Sequence, residues 1–125
     1  MQITASAISL NVADPLASAR FLTEHLGFTE QMAADGFVSL ARADAGMNVI
    51  FLRTGLASFK PARIAGGAGE GLLVVFTVAD IDAEYERLRG EGVPIETPIE
   101  TEEWGERYFQ MTDPNGVVIQ LVQWV

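Results

Sequence analysis

Two stretches of this chain occur twice. Val12-Ala13-Asp14 returns as Val78-Ala79-Asp80, 66 positions on. "DAGMNVIFL" at 44–52 lies over "DPNGVVIQL" at 113–121, 69 positions on, agreeing at Asp, Val, Ile and Leu. Short apolar runs agree by chance, so each match alone is weak. Two matches in the same order constrain the fold far more: one supersecondary unit is built twice.

The elements of that unit are readable. Ile8, Leu10 and Val12 alternate with Ser9 and Asn11, the period-two pattern of a half-buried strand. Asp14-Pro15 then starts a helix, with Asp as cap and Pro in the first turn, and Gly27 stops it. Strands follow at 37–41 and 47–52. In the second copy a strand at 72–78 leads to Asp80, a helix ending at Gly90 or Gly92, and strands at 107–112 and 117–122 around the turn Asp113-Pro114-Asn115-Gly116. Residues 54–71, with five glycines, read as a linker or mobile loop, and 96–106 as a solvated acidic loop. The expectation is one α+β domain over 1–125, with module one at about 1–53, linker 54–71 and module two at about 72–125.

Composition narrows the partners. Seventeen acidic residues against eight Lys and Arg leave a net charge of −9, so neither nucleic acid nor an anionic membrane is expected to bind. A cationic small molecule would be attracted. The absence of cysteine removes disulfides, zinc–thiolate sites and thiol nucleophiles. No basic segment followed by a long apolar run opens the chain, and no apolar run approaches the roughly 20 residues of a membrane helix. A cytoplasmic location is the expectation.

Helices must cover one face of each sheet. The larger apolar set, including Ile8, Leu10, Val12, Ile50, Leu52, Ile119 and Leu121, is assigned to that side. The other side then carries Ser9, Asn11, Phe51, Arg53, Leu73, Val75, Val118 and Gln120, a mixed lining suited to a small-molecule pocket. A half-exposed sheet or a dimer contact would use the same pattern.

"ISLNVADPLASARFLTEHLGF" (8–28), "VADIDAEYERLRGEGV" (78–93) and above all "WGERYFQMTDPNGVVIQLV" (104–122) resemble the vicinal oxygen chelate superfamily, the glyoxalase/bleomycin-resistance/dioxygenase fold. The last stretch looks like its antibiotic-binding branch. The resemblance implies two βαβββ modules forming a curved mixed sheet around a cleft, helices on the convex face, commonly in a homodimer. Metal-dependent members hold a divalent cation between His and Glu side chains. Carried onto this chain, those positions fall at Ala7, Phe51, Leu73 and Gln120. Three have no lone pair to offer and the fourth is a neutral amide, so no metal and no other cofactor is expected. The sole histidine, His25, sits near the end of the first helix, as a surface or cap residue would.

The expected activity is therefore metal-independent binding of an aromatic or cationic small molecule, with sequestration of a toxic compound (antibiotic resistance) as its role. Trp104 would stack on a ring, with Phe51, Leu73, Val75 and Val118 as apolar walls. Ser9, Asn11, Arg53 and Gln120 would orient polar groups; Arg107 is a further ligand-binding candidate, with pairing to neighbouring glutamates as its alternative and its face left open after Gly105. The alternatives are a lyase, isomerase or dioxygenase of the same superfamily with an atypical site, and a structural dimer with no ligand.

Overall fold

Asp14 and Asp80 start the two helices in the same way. In the computed structural model, which describes residues 1–125, the Asp14 carboxylate accepts from the Ala17 N–H at 3.3 Å, and Asp80 accepts from the Ala83 N–H at 3.1 Å. Each bond satisfies a donor that the first helical turn leaves open. α1 (Pro15–Leu26) ends at Gly27, whose φ of 70° is left-handed. A Cβ there would stand 2.7 Å from Arg42 Nη1, the atom that donates to the Leu26 carbonyl at the helix end. The left-handed backbone is what favours glycine at residue 27; the head of the flexible Arg42 side chain would have to move for a Cβ. His25 occupies the last turn of α1, half-buried, with its ring edge-on to Phe21. α2 runs Ile81–Gly90.

Four strands accompany each helix. β1 (Ala7–Val12), β2 (Thr29–Ala34), β3 (Phe37–Ala41) and β4 (Asn48–Arg53) form a sheet in the order β1-β4-β3-β2. β5 (Val74–Thr77), β6 (Ile95–Thr101), β7 (Glu106–Thr112) and β8 (Val118–Trp124) form another in the order β5-β8-β7-β6. In both, the first and last strands run parallel and the remaining pairs antiparallel. The α+β class and the doubled βαβββ unit are thus as the sequence predicts. The chain divides into two compact units, Met1–Ala68 and Gly69–Val125.

Three expectations need correction. First, the acidic stretch expected as a loop contains β6, an edge strand with Pro98 in it; Pro is tolerated at an edge, where no neighbour needs its missing N–H. Strand β2 also had no signal, because every residue of that edge strand is exposed and no apolar alternation results.

Second, most of the glycine-rich segment belongs to the first unit and is tied to β1. It forms a 3-10 turn at Ala62–Ile64. The Asn11 side-chain amide donates to the carbonyls of Ile64 and Gly66 at 2.5 and 2.9 Å, and the Ala68 N–H donates to the Asn11 carbonyl at 2.8 Å. It is no free linker.

Third, β4 faces the opposite way. In parallel register Leu10 lies beside Phe51 and Ile8 beside Val49, and Val38 and Leu40 of β3 lie across from Phe51 and Val49. Phe51 and Val49 are each 1% exposed, and α1 packs over this face with Phe21, Leu22 and Leu26. Ile50 and Leu52, half-buried, share the other face with Ser9 and Asn11. The run Ile50-Phe51-Leu52 is apolar throughout, so periodicity does not report its parity. A one-residue slip then exchanges its faces.

Phe51→Ala should lower the stability of the first unit by about 3–5 kcal/mol, the usual cost of truncating a buried Phe. Ile50→Ala should cost less than half as much. Chemical denaturation of both variants checks the assignment, and equal losses would contradict it.

Candidate functional site

The face of the second sheet turned away from α2 is written by alternation along β7. Phe109 and Met111, both 0% exposed, point to the helix side; Glu106, Tyr108, Gln110 and Thr112 point the other way. Register places Gln110 beside Gln120, Tyr108 beside Val122 and Glu106 beside Trp124. On the parallel side Gln120 lies next to Val75.

A continuous hydrogen-bonded chain crosses this face. Thr97 Oγ1 donates to Gln110 Oε1 at 2.8 Å, Gln110 Nε2 to Gln120 Oε1 at 2.9 Å, and Gln120 Nε2 to Glu106 Oε1 at 3.2 Å. Trp104 Nε1 donates to the other Glu106 oxygen at 3.2 Å. Gln120 is 6% exposed, and a buried amide left unpaired would be costly, so these partners make the position tenable. Beside the chain, Leu73 and Val75 are each 42% exposed and Trp104 67%. Gly105 holds the turn that carries Trp104. Its φ is 89°, and a Cβ would come within 2.6 Å of the Val125 carbonyl oxygen, so only glycine lets the turn approach the last residue.

Tyr108 extends the polar surface. Its hydroxyl lies 2.7 Å from Glu100 Oε1 and 2.8 Å from Glu102 Oε1, so its single proton is shared between the two carboxylates. Those hydrogen bonds push the phenol well above its ordinary value, because a phenolate would lose them and face two negative charges.

The expected site residues separate into groups. Gln120, Val75 and Val118 share the face just described, with Leu73 at its margin and Trp104 joined to it through Glu106. Ser9 and Asn11 lie together in the first unit, lining a cavity of about 300 Å³ beside the 62–68 segment. Phe51 is in the core. Arg53, on the same side as Phe51, pairs with Asp35 of the β2–β3 turn at 3.1 Å. Arg107 points towards α2, where it holds Asp82 at 2.6 Å; that hydrogen-bonded guanidinium keeps the Asp82 carboxyl below the usual range. Arg53 does not reach the face it was assigned to, and Arg107, whose direction the sequence left open, turns away from that face. Sequence reasoning passed over Gln110 and Thr97, and took Glu106 only as part of the acidic stretch 96–106 that could attract a cation. The signal was present in "ERYFQM", where Phe109 and Met111 bracket Gln110 at period two.

The profile of the Glyoxalase/Bleomycin resistance protein/Dioxygenase superfamily matches residues 4–121. The chain belongs to that superfamily. A superfamily protein from Nocardioides has the same fold, with a TM-score of 0.79 at 24% identity over 100% of this chain and 85% of that one. A lactoylglutathione lyase from Agrobacterium tumefaciens superposes with a TM-score of 0.77 at 16% identity, covering 98% of this chain and 94% of the lyase. At such identities the likeness is one of fold. Uncharacterized proteins of Mycobacterium bovis and Mycobacterium tuberculosis are 35% identical over 48 residues, 38% of this chain. The match spans about a third of their length, 32% and 28% respectively.

The divalent cation implied by the resemblance does not fit these residues. With the register corrected, the β4 position equivalent to Gln120 is Ile50, since Ser9 pairs with Ile50 as Val75 pairs with Gln120. Ala7, Ile50 and Leu73 supply no donor, and the Gln120 amide is already engaged on both atoms. No three His, Asp or Glu side chains are grouped to hold a metal.

Tyr108 generates a pH prediction. Because its folded pKa lies above the unfolded value near 10, the contacts to Glu100 and Glu102 contribute stability below pH 10 that is lost as the pH rises through the folded value. In an alkaline titration followed by phenolate absorbance, a late component should appear and should vanish in Tyr108→Phe.

Proposed function

We propose that this superfamily member binds a planar aromatic small molecule carrying positive charge, reversibly and without a metal, in the manner of a sequestering protein. One observation carries the reading: the Glu106 carboxylate is held by Trp104 and Gln120 on a face that also exposes Leu73 and Val75. An ionised carboxylate fixed by two donors keeps its charge in place, while an exposed indole beside it offers both stacking area and cation–π attraction. Apolar surface at Val75 and Leu73 would take the rest of an aromatic ring system. The net charge of −9 favours a cation at long range. Nothing in the chain of Thr97, Gln110 and Gln120 titrates near neutral pH, so these residues supply orientation rather than proton transfer.

The test is a titration with an acridinium dye, a planar aromatic cation, against a naphthalene sulfonate as the matched anion. The cation should quench tryptophan fluorescence saturably and raise the melting temperature, because it binds the folded state. Trp104→Ala should weaken it by about tenfold, roughly 1.4 kcal/mol, and Glu106→Gln by a similar factor. Equal binding of the sulfonate, or binding of the cation untouched by both substitutions, would refute the reading.

A further inference from the structure

The cavity in the first unit is built with the opposite polarity. Ser9 and Asn11 form its floor, and Arg63, Ile64, Gly66 and Gly67 its wall, around about 300 Å³. Within the 61–66 segment every carbonyl but that of Arg63 is engaged. Pro61 O accepts from the Ile64 N–H, Ala62 O from Ala65 and Ala65 O from Gly55, each at 2.9–3.1 Å. The Asn11 amide spends both its N–H groups on the carbonyls of Ile64 and Gly66. The donors are not consumed: the N–H groups of Gly66 and Gly67 and the Ser9 hydroxyl make no hydrogen bond within the protein.

Arg63 completes the set. Arg42, Arg53, Arg87, Arg89 and Arg107 are each paired with a carboxylate, whereas Arg63, like Arg20 of α1, has none. A guanidinium left without a partner beside three free donors is a recognition surface for oxygen acceptors with negative charge, which match its fork of N–H groups. Gly67 has no side chain of its own, and the nearest atoms to a Cβ placed there are Thr54 Cγ2 at 3.7 Å and the Asn11 carbonyl oxygen at 4.0 Å.

From this placement we infer that the cavity between β1 and the 62–68 segment is an oxyanion site, taking the carboxylate or phosphate of a small organic molecule through Arg63, Ser9 and the amides of Gly66 and Gly67. The cavity exceeds the size of a bare ion, so an organic group accompanies the anion. Asn11 is a positioning residue: it faces the loop's acceptors into itself and so leaves donors at the rim. The site stands apart from the aromatic-cation reading, since it lies wholly in the first unit and contains no tryptophan.

The experiment is a titration of the 15N-labelled protein with sodium benzoate and, separately, phenyl phosphate, at constant ionic strength with sodium chloride as the control. Saturable shifts of the Gly66 and Gly67 amides with benzoate identify a carboxylate site, and with phenyl phosphate a phosphate site; either supports the inference. Arg63→Ala should raise the dissociation constant about tenfold or more, as loss of a charge-assisted contact does, and Arg63→Lys should restore part of it. Ser9→Ala should weaken binding by a smaller factor. Shifts that stay linear, that chloride reproduces, or that Arg63→Ala leaves unchanged would overturn the proposal. Acridinium binding read by tryptophan fluorescence is unaffected in every one of these variants if the two sites are separate.

Discussion

The parallel pairing of the first and last strand in each unit governs the rest of the architecture. β1 beside β4 and β5 beside β8 cannot be joined by a tight turn, so the chain must leave the sheet and return. The helix that makes the first part of that excursion then lies over the sheet, and its apolar stripe selects one side of every strand. Once Leu10 and Phe76 face their helices, Phe51 and Leu121 must do so too, because parallel neighbours in register share a face. The opposite side chains, from Ser9 and Ile50 in one unit to Val75 and Gln120 in the other, are left for other work. Side-chain chemistry there is free of the demands of packing against a helix.

The two units have used that freedom differently. In the first, the face beside Ser9 and Asn11 is approached by a backbone segment whose acceptors are drawn inward, and the remaining groups are donors and a cation. In the second, side chains make the network themselves, and it terminates at the Glu106 carboxylate, with Tyr108 separately holding Glu100 and Glu102. One architecture thus carries two faces of different side-chain composition. The doubled sequence is a statement about backbone geometry and says little about chemistry, in keeping with the way folds host unrelated sites.

How much of this was legible in the sequence depends on the residue. Val-Ala-Asp was decisive twice over, because Asp capping is local chemistry that needs no tertiary context. The strands with alternating polarity were readable for the same reason. β2 and β6 were not, since an exposed edge strand has no buried face to impose a pattern. Ile50-Phe51-Leu52 defeated periodicity by being apolar at all three positions, and that single ambiguity carried Phe51 and Arg53 to the wrong side. Trp104 and Gln120 were both named from the sequence as site residues. Their link through Glu106 depends on cross-strand register, which only pairing with β8 supplies.

The direction of the chain from Thr97 to Glu106 has its own meaning. An amide can turn over and exchange its donor and acceptor ends, so a row of hydroxyl and amide groups alone could run either way. A carboxylate only accepts. Glu106 therefore sets the sense of every bond behind it, obliging Gln120 to present its nitrogen there, its oxygen to Gln110, and Gln110 its oxygen to Thr97. One ionised group at the margin acts as the grammar of the whole surface: it decides, several residues away, which atoms an arriving molecule meets as donors and which as acceptors.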